Sequence, residues 1–146
     1  MIRIAVVGAS GRMGLCLIKA AELAKKTSLS VAVTRPSSAA LGKDAGDLAG
    51  IGAINIAVQD DLSKVLDQFD VLIDFTRPEP SMQYIELCRQ AGKQVIIGTT
   101  GYSDEQKAQI FEAAKDIAIV LAPNMSVGVN LSLKLLEMTA KVMGDY

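Results

Sequence analysis

Short runs dense in β-branched residues alternate along this chain with stretches whose apolar residues recur every three or four positions. The runs cover 2–7, 29–34, 54–58, 71–74, 94–97 and 117–121, and each reads as a strand. Between most of them the period is helical. Leu15, Ile18, Ala21 and Leu23 share one face after the first run. Tyr84, Leu87, Cys88 and Ala91 fit i, i+3, i+4, i+7 after the fourth. Ser103 with Gln106 makes a capping box that opens a helix over 104–115. A last helix begins near Ser126, with Leu131, Leu135, Met138 and Val142 as its apolar stripe. Cys16, Cys88 and the methionines sit in these apolar patterns and read as packing. One loose segment, 35–50, is rich in Ser, Ala and Gly and follows the second strand.

Alternating strands and helices, with nearly continuous apolar strands, predict an α/β fold. The expected form is a Rossmann-like, doubly wound parallel sheet with helices on both faces. In such sheets ligands bind at the carboxyl ends of the strands, so the residues just after each strand carry the functional signal. No internal repeat interrupts the pattern, and 146 residues are expected to form one domain.

Composition removes several chemistries. The chain has no histidine, which excludes a Ser-His-Asp triad, a histidine general acid and a histidine-ligated metal. Two cysteines, Cys16 and Cys88, make neither a zinc cluster nor a disulfide framework. No metal site is therefore expected. A net charge of -1 argues against an electrostatically held nucleic acid or membrane surface. No apolar run reaches the ~18 residues of a membrane span, and the N-terminal apolar stretch stops at Gly8, short of a signal peptide. Free cysteines without an export signal point to the cytoplasm.

The first strand runs into Gly8-Ala9-Ser10-Gly11-Arg12-Met13-Gly14. A tight turn needs a residue without Cβ at Gly8, an approaching pyrophosphate needs bare backbone at Gly11, and helix-on-strand packing needs Gly14. The amides of Gly11, Arg12 and Met13 are expected to face an anion at the positive end of the helix dipole. The spacing is G-x-x-G-x-x-G rather than G-x-G-x-x-G; its place between first strand and first helix is what points to a dinucleotide. The competing reading is a plain strand-to-helix turn.

At the end of the second strand, about 20 residues on, NAD enzymes carry an acid for the ribose 2′-hydroxyl. This chain has Thr34-Arg35 instead. Arg35 is suited to pair with a 2′-phosphate and stack on adenine, and Thr34 offers a hydroxyl. The expectation is NADPH in preference, with NADH possible; the competing reading leaves Arg35 solvated in its loop.

Later strands end in Asp74-Phe75-Thr76-Arg77-Pro78, Gly98-Thr99-Thr100-Gly101 and Ala122-Pro123-Asn124-Met125-Ser126-Val127-Gly128-Val129-Asn130. Gly98 and Gly101 are expected to let a nicotinamide ring approach the backbone, and Thr99 and Thr100 to offer hydroxyls and amides. Asp74 is expected to bond loop amides rather than act as a base. Read together, V-x-G-A-x-G-R-M-G, D-F-T-R-P, G-T-T-G, N-x-S-V-G-V-N and a closing K-V-M-G-D-Y resemble 4-hydroxy-tetrahydrodipicolinate reductase, the dihydrodipicolinate reductase of bacterial lysine biosynthesis. The motifs span the whole chain in order.

The resemblance implies that Gly8, Ala9, Ser10, Gly11, Arg12 and Met13 hold the pyrophosphate and that Thr34 and Arg35 meet the adenosine ribose. It implies that Gly98, Thr99 and Thr100 line the nicotinamide, with Ala122, Pro123, Asn124 and Met125 on the ring's other side. Two positions depart from the family. Thr34 stands where members using both cofactors often have an acid, and Met125 where an aromatic is common; methionine still offers a polarizable cover.

The family continues into a second domain with a histidine-rich motif, a lysine and a small-residue turn that grips substrate carboxylates. None of these occurs in this sequence. The resemblance therefore implies that 1–146 is the dinucleotide-binding domain, about half of a complete member, with no catalytic residue of its own and inactive alone. A dicarboxylate substrate is expected only together with the missing domain, and the family's tetramer forms mainly through that domain. Alternatives are a stand-alone dinucleotide-sensing module, or the cofactor domain of a related amino-acid dehydrogenase.

Overall fold

A computed structural model of the chain describes residues 1–144. Asp145 and Tyr146, which end the K-V-M-G-D-Y motif, lie outside the described residues.

Five of the six expected strands form one parallel sheet: β1 (Ile2–Val7), β2 (Thr27–Val33), β3 (Val71–Asp74), β4 (Gln94–Ile97) and β5 (Ile119–Leu121). Their order is β2-β1-β3-β4-β5, and every pairing is parallel. The fold is the expected Rossmann-like α/β arrangement. Period-2 alternation in β1 divides the core in two. Ala5 and Val7 face one cluster with Phe69, Ile85, Cys88 and Ile110. Ile4 and Val6 face the other with Ile18, Ala21, Ala32 and Ala45. Helices α1 (Arg12–Leu23) and α2 (Ala45–Ala49) cover the second face; α3 (Pro78–Gln90) and α4 (Asp104–Ala113) cover the first. Ser103 and Gln106 form the expected capping box on α4.

The remaining run, 54–58, is not a strand. Asp44 draws it elsewhere: its carboxylate accepts from the amides of Ile54 and Ile56 while also capping α2 through Gly46 and Asp47. The run then pairs backwards with the 42–45 loop, where Gly42 donates to Val58 and Ala45 to Ile56. Only Gln59 reaches β2, through a parallel bridge to Val33. The segment 35–50 is correspondingly less loose than its composition implies.

Some expected packing also differs. Leu23 is 83% exposed because it ends α1 as the chain turns away. Cys16 is exposed on α1, on the face away from Ile18. Met1, Met13, Met125, Met138 and Met143 are exposed, so only Met82 packs against a core. Helix α5 (Val127–Met143) starts at Ser126, which accepts from the Val129 amide. Its stripe of Leu131, Leu135, Met138 and Val142 is exposed, since no other described element lies over it.

Candidate functional site

The carboxyl ends of all five strands lie along one edge of the sheet, because all five run parallel. The sequence direction changes between β1 and β3, with β2 on the far side of β1; this is the switch point where a crevice opens.

The first turn at this edge is built as the glycine spacing requires. Gly8 has φ +67°, a left-handed conformation that an L side chain rarely adopts. A Cβ on Gly14 would collide with the Gly8 carbonyl and the Ala9 backbone, so α1 can lie this close to β1 only with glycine there. The Ala9 amide donates to Val33 and ties the turn to β2, and Ala9 itself is core rather than site. One expectation changes: the Gly11 amide donates to the Gly8 carbonyl at 2.8 Å and closes the turn, so it is not available to an anion. The amides of Arg12 and Met13, in the first turn of α1, have no intrahelical acceptor. Gly11 supplies no side-chain cap and no acid stands in that turn. The helix start is left electropositive.

A cleft of about 500 Å³ opens beside this turn. Gly8, Ser10 and Gly11 form one wall and Thr34 and Arg35 a second. The third wall is Phe75, Thr76, Arg77, Pro80 and Tyr84; the sequence marks the 74–78 strand end as facing a ligand, but names none of these five as cofactor contacts. The strand-end rule applied to D-F-T-R-P was the available signal. Pro78 starts α3 directly after it, which brings Pro80 and Tyr84 to the same opening. Burial, with a smaller contribution from the charge of Asp74, pushes the Tyr84 phenol up from its ordinary value and keeps it neutral.

Thr34 does not offer its hydroxyl outward. It is 3% exposed and shares a 2.8 Å hydrogen bond with Ser10, joining two walls of the cleft. Among the described residues no acid lines the cleft. Of the five arginines, Arg3 and Arg89 are held in ion pairs with Asp70 and Asp116. Arg12, Arg35 and Arg77 form no ion pair among the described residues; Arg35 and Arg77 line the cleft and Arg12 begins α1 beside it.

A second cavity, about 310 Å³, lies at the ends of β4 and β5. It is lined by Thr99, Thr100, Gly101, Tyr102, Lys107, Leu121 and Pro123. The remaining expected residues are used differently. A Cβ on Gly98 would run into the Phe75 ring, so this glycine makes room for Phe75 rather than for an approaching ligand ring. The Thr99 hydroxyl is buried and donates to Asp74 at 3.1 Å. The side chain of Asn124 accepts from the Ser126 amide and its carbonyl from Asn130, which organises the start of α5. Ala122 and Met125 line neither cavity, and Met125 is exposed. Asp74 bonds the Thr76 amide at 2.9 Å, as its sequence context predicted.

The family model for the N-terminus of dihydrodipicolinate reductase matches residues 2–125. The chain belongs to that family. Among solved structures it is similar to the dipicolinate-bound dihydrodipicolinate reductase of a Paenisporosarcina species, at 26% identity and TM-score 0.73 over 96% of this chain. It covers 54% of that reductase, about half its length. It is also similar to an amine dehydrogenase from Mycobacterium smegmatis, at 25% identity and TM-score 0.61, over 81% of this chain and 37% of that one. Biliverdin reductase from Synechocystis, solved with biliverdin and NADP+, shares the fold at 16% identity and TM-score 0.60, over 82% of this chain and 37% of that one. The family and the two neighbours at 25–26% identity are themselves a reductase and a dehydrogenase by name.

Proposed function

We propose that this domain binds a nicotinamide dinucleotide across the strand ends, NADPH in preference to NADH, as the cofactor half of a reductase acting on 4-hydroxy-tetrahydrodipicolinate in lysine biosynthesis. The observation that carries the reading is the cleft with unpaired arginines on its walls, no acid, and an uncapped helix start beside it. Such a surface suits a ligand with several phosphates. The Arg12 and Met13 amides would meet the pyrophosphate, Arg35 and Arg77 the adenosine end, and Tyr84 offers an aromatic face there. The lining of the second cavity, with Thr100 and Pro123, suits the nicotinamide end. A bound reduced nicotinamide supplies a hydride. The residues of this domain would hold and orient it, and the proton for the reduced substrate is assigned in this reading to the family's second domain. The domain alone is therefore expected to bind the dinucleotide without turning over.

Calorimetric titration of the chain with NADPH and NADH tests the reading. NADPH is expected to bind more tightly. Arg35→Ala should weaken NADPH by about 10- to 100-fold, the loss of a charge-assisted contact, and NADH far less. Equal affinities in the parent chain, or equal losses in the variant, would remove the preference for the 2′-phosphate.

A further inference from the structure

A buried acid lies beneath the two cavities. Asp74, the last residue of β3, is fully buried. Its Oδ1 accepts from the Thr76 amide at 2.9 Å, the Thr76 hydroxyl at 2.6 Å and the Thr99 hydroxyl at 3.1 Å. The Thr99 hydroxyl in turn accepts from the Thr76 amide at 2.8 Å. Oδ2 is buried with no hydrogen-bond partner among the described residues. Burying an acid is costly unless it is hydrogen-bonded, and here all three donors converge on one oxygen.

What those three bonds accomplish follows from where the sheet ends. The β3–β4 ladder finishes at Asp74 opposite Ile97, and the Gly98 amide makes one more bond to the Asp74 carbonyl at 2.8 Å. Past that point the two loops lead to different cavities: Thr76 lines the first and Thr99 the second. The hydrogen-bonded knot of Asp74, Thr76 and Thr99 is what joins them. The loop after β4 is also fastened to α3, where the Tyr102 hydroxyl meets Ser81 in a buried hydrogen bond.

We propose that Asp74 and the Thr99 hydroxyl act as positioning groups, whose hydrogen bond to each other fixes the loop after β4 against the loop after β3 and so sets the nicotinamide-side cavity at the right separation from the adenosine-side cleft. This rests on the dinucleotide reading above. Removing the Thr99 hydroxyl leaves Thr76 bonded to Asp74 and releases only the β4 loop. The defect should therefore fall on the nicotinamide end of the ligand alone.

The test is a titration of the parent chain, Thr99→Val, Thr99→Ala and Thr99→Ser with NADPH and with 2′-phospho-ADP-ribose, which lacks the nicotinamide. In Thr99→Val, NADPH should weaken about tenfold while 2′-phospho-ADP-ribose changes less than about twofold. The emission change of the reduced nicotinamide on binding should shrink with it, and Thr99→Ser should restore both. Thr99→Ala, which removes the same hydroxyl without the second methyl of valine, should show the same split, and it decides the matter if Thr99→Val does not fold. Equal losses for both ligands would mean a general structural role, and no loss for either would mean no role; each overturns the proposal. A parent chain that binds both ligands equally well would overturn it too, while leaving the adenosine-side reading standing. A parent chain that binds neither would overturn the dinucleotide reading itself.

Discussion

Cys88 and Cys16 occupy similar apolar contexts in sequence and opposite ones in space. Cys88 is buried against both Ile85 and the sheet, and burial, reinforced by the charge of Asp74, pushes its thiol up to about 12. It stays protonated and unreactive near neutral pH. Cys16 is exposed. A disulfide-exchange reagent at mildly alkaline pH should label one thiol per native chain, and the second only after denaturation; rapid labelling of both would contradict the burial of Cys88. The glycines separate in the same way. Sequence assigns Gly8 to the tight turn and Gly14 to the helix–strand contact, and both geometries are present, whereas Gly98, expected to admit a ligand ring, lies against the Phe75 ring.

Strand and helix identities were legible wherever a segment's own pattern matched its partner's. β1, β3 and β4 lie within the runs read from sequence, and α4 begins at its capping box. The run at 54–58 failed because a distant carboxylate, Asp44, bonds its amides in a different geometry from a parallel ladder; nothing in the run itself announces that. The contact between α1 and β1 is the element-scale feature that the site depends on most. Gly14→Ala would press a methyl into the backbone of Gly8 and Ala9, and neither can yield without moving the turn. We expect a loss of about 1–3 kcal/mol, the usual cost of overpacking, measured by urea denaturation. Gly128→Ala, whose methyl would meet nothing nearer than the Ser126 hydroxyl at 3.9 Å, should leave stability unchanged or higher. A similar response from both variants would refute the close-approach argument.

For the whole molecule, acid sensitivity has a traceable source. Asp70 joins the start of β3 to β1: its carboxylate accepts from the Arg3 amide and guanidinium, and its own amide donates to the Arg3 carbonyl. The Arg3 guanidinium, followed by the Arg3 amide, lowers its carboxyl from 3.8 to about 2. Because the folded value is the lower one, the stability it contributes is complete above about pH 4 and disappears as pH falls toward about 2. Asp44 and Asp61 are lowered as well and act in the same direction. Urea midpoints measured across that window should fall, and Asp70→Asn should flatten part of the slope. An unchanged slope in the variant would assign the acid sensitivity elsewhere.

Local information was enough for the class of fold and for the edge of the sheet where the site lies. Strand and helix periods, a capping box and glycines between first strand and first helix are read within a few residues of one another. The absence of histidine needed no fold at all to exclude histidine chemistry. The tertiary structure alone decided which polar groups remain free for a ligand. The hydroxyls of Thr34 and Thr99 and the amide of Gly11 all look available in sequence, yet each is taken by a partner within the protein. Arg35 and Arg77 stand 42 positions apart in sequence and line one cleft because β1 separates β2 from β3 in the sheet. Hydrogen-bond capacity is spent between residues remote along the chain, and only their assembly shows what is left over.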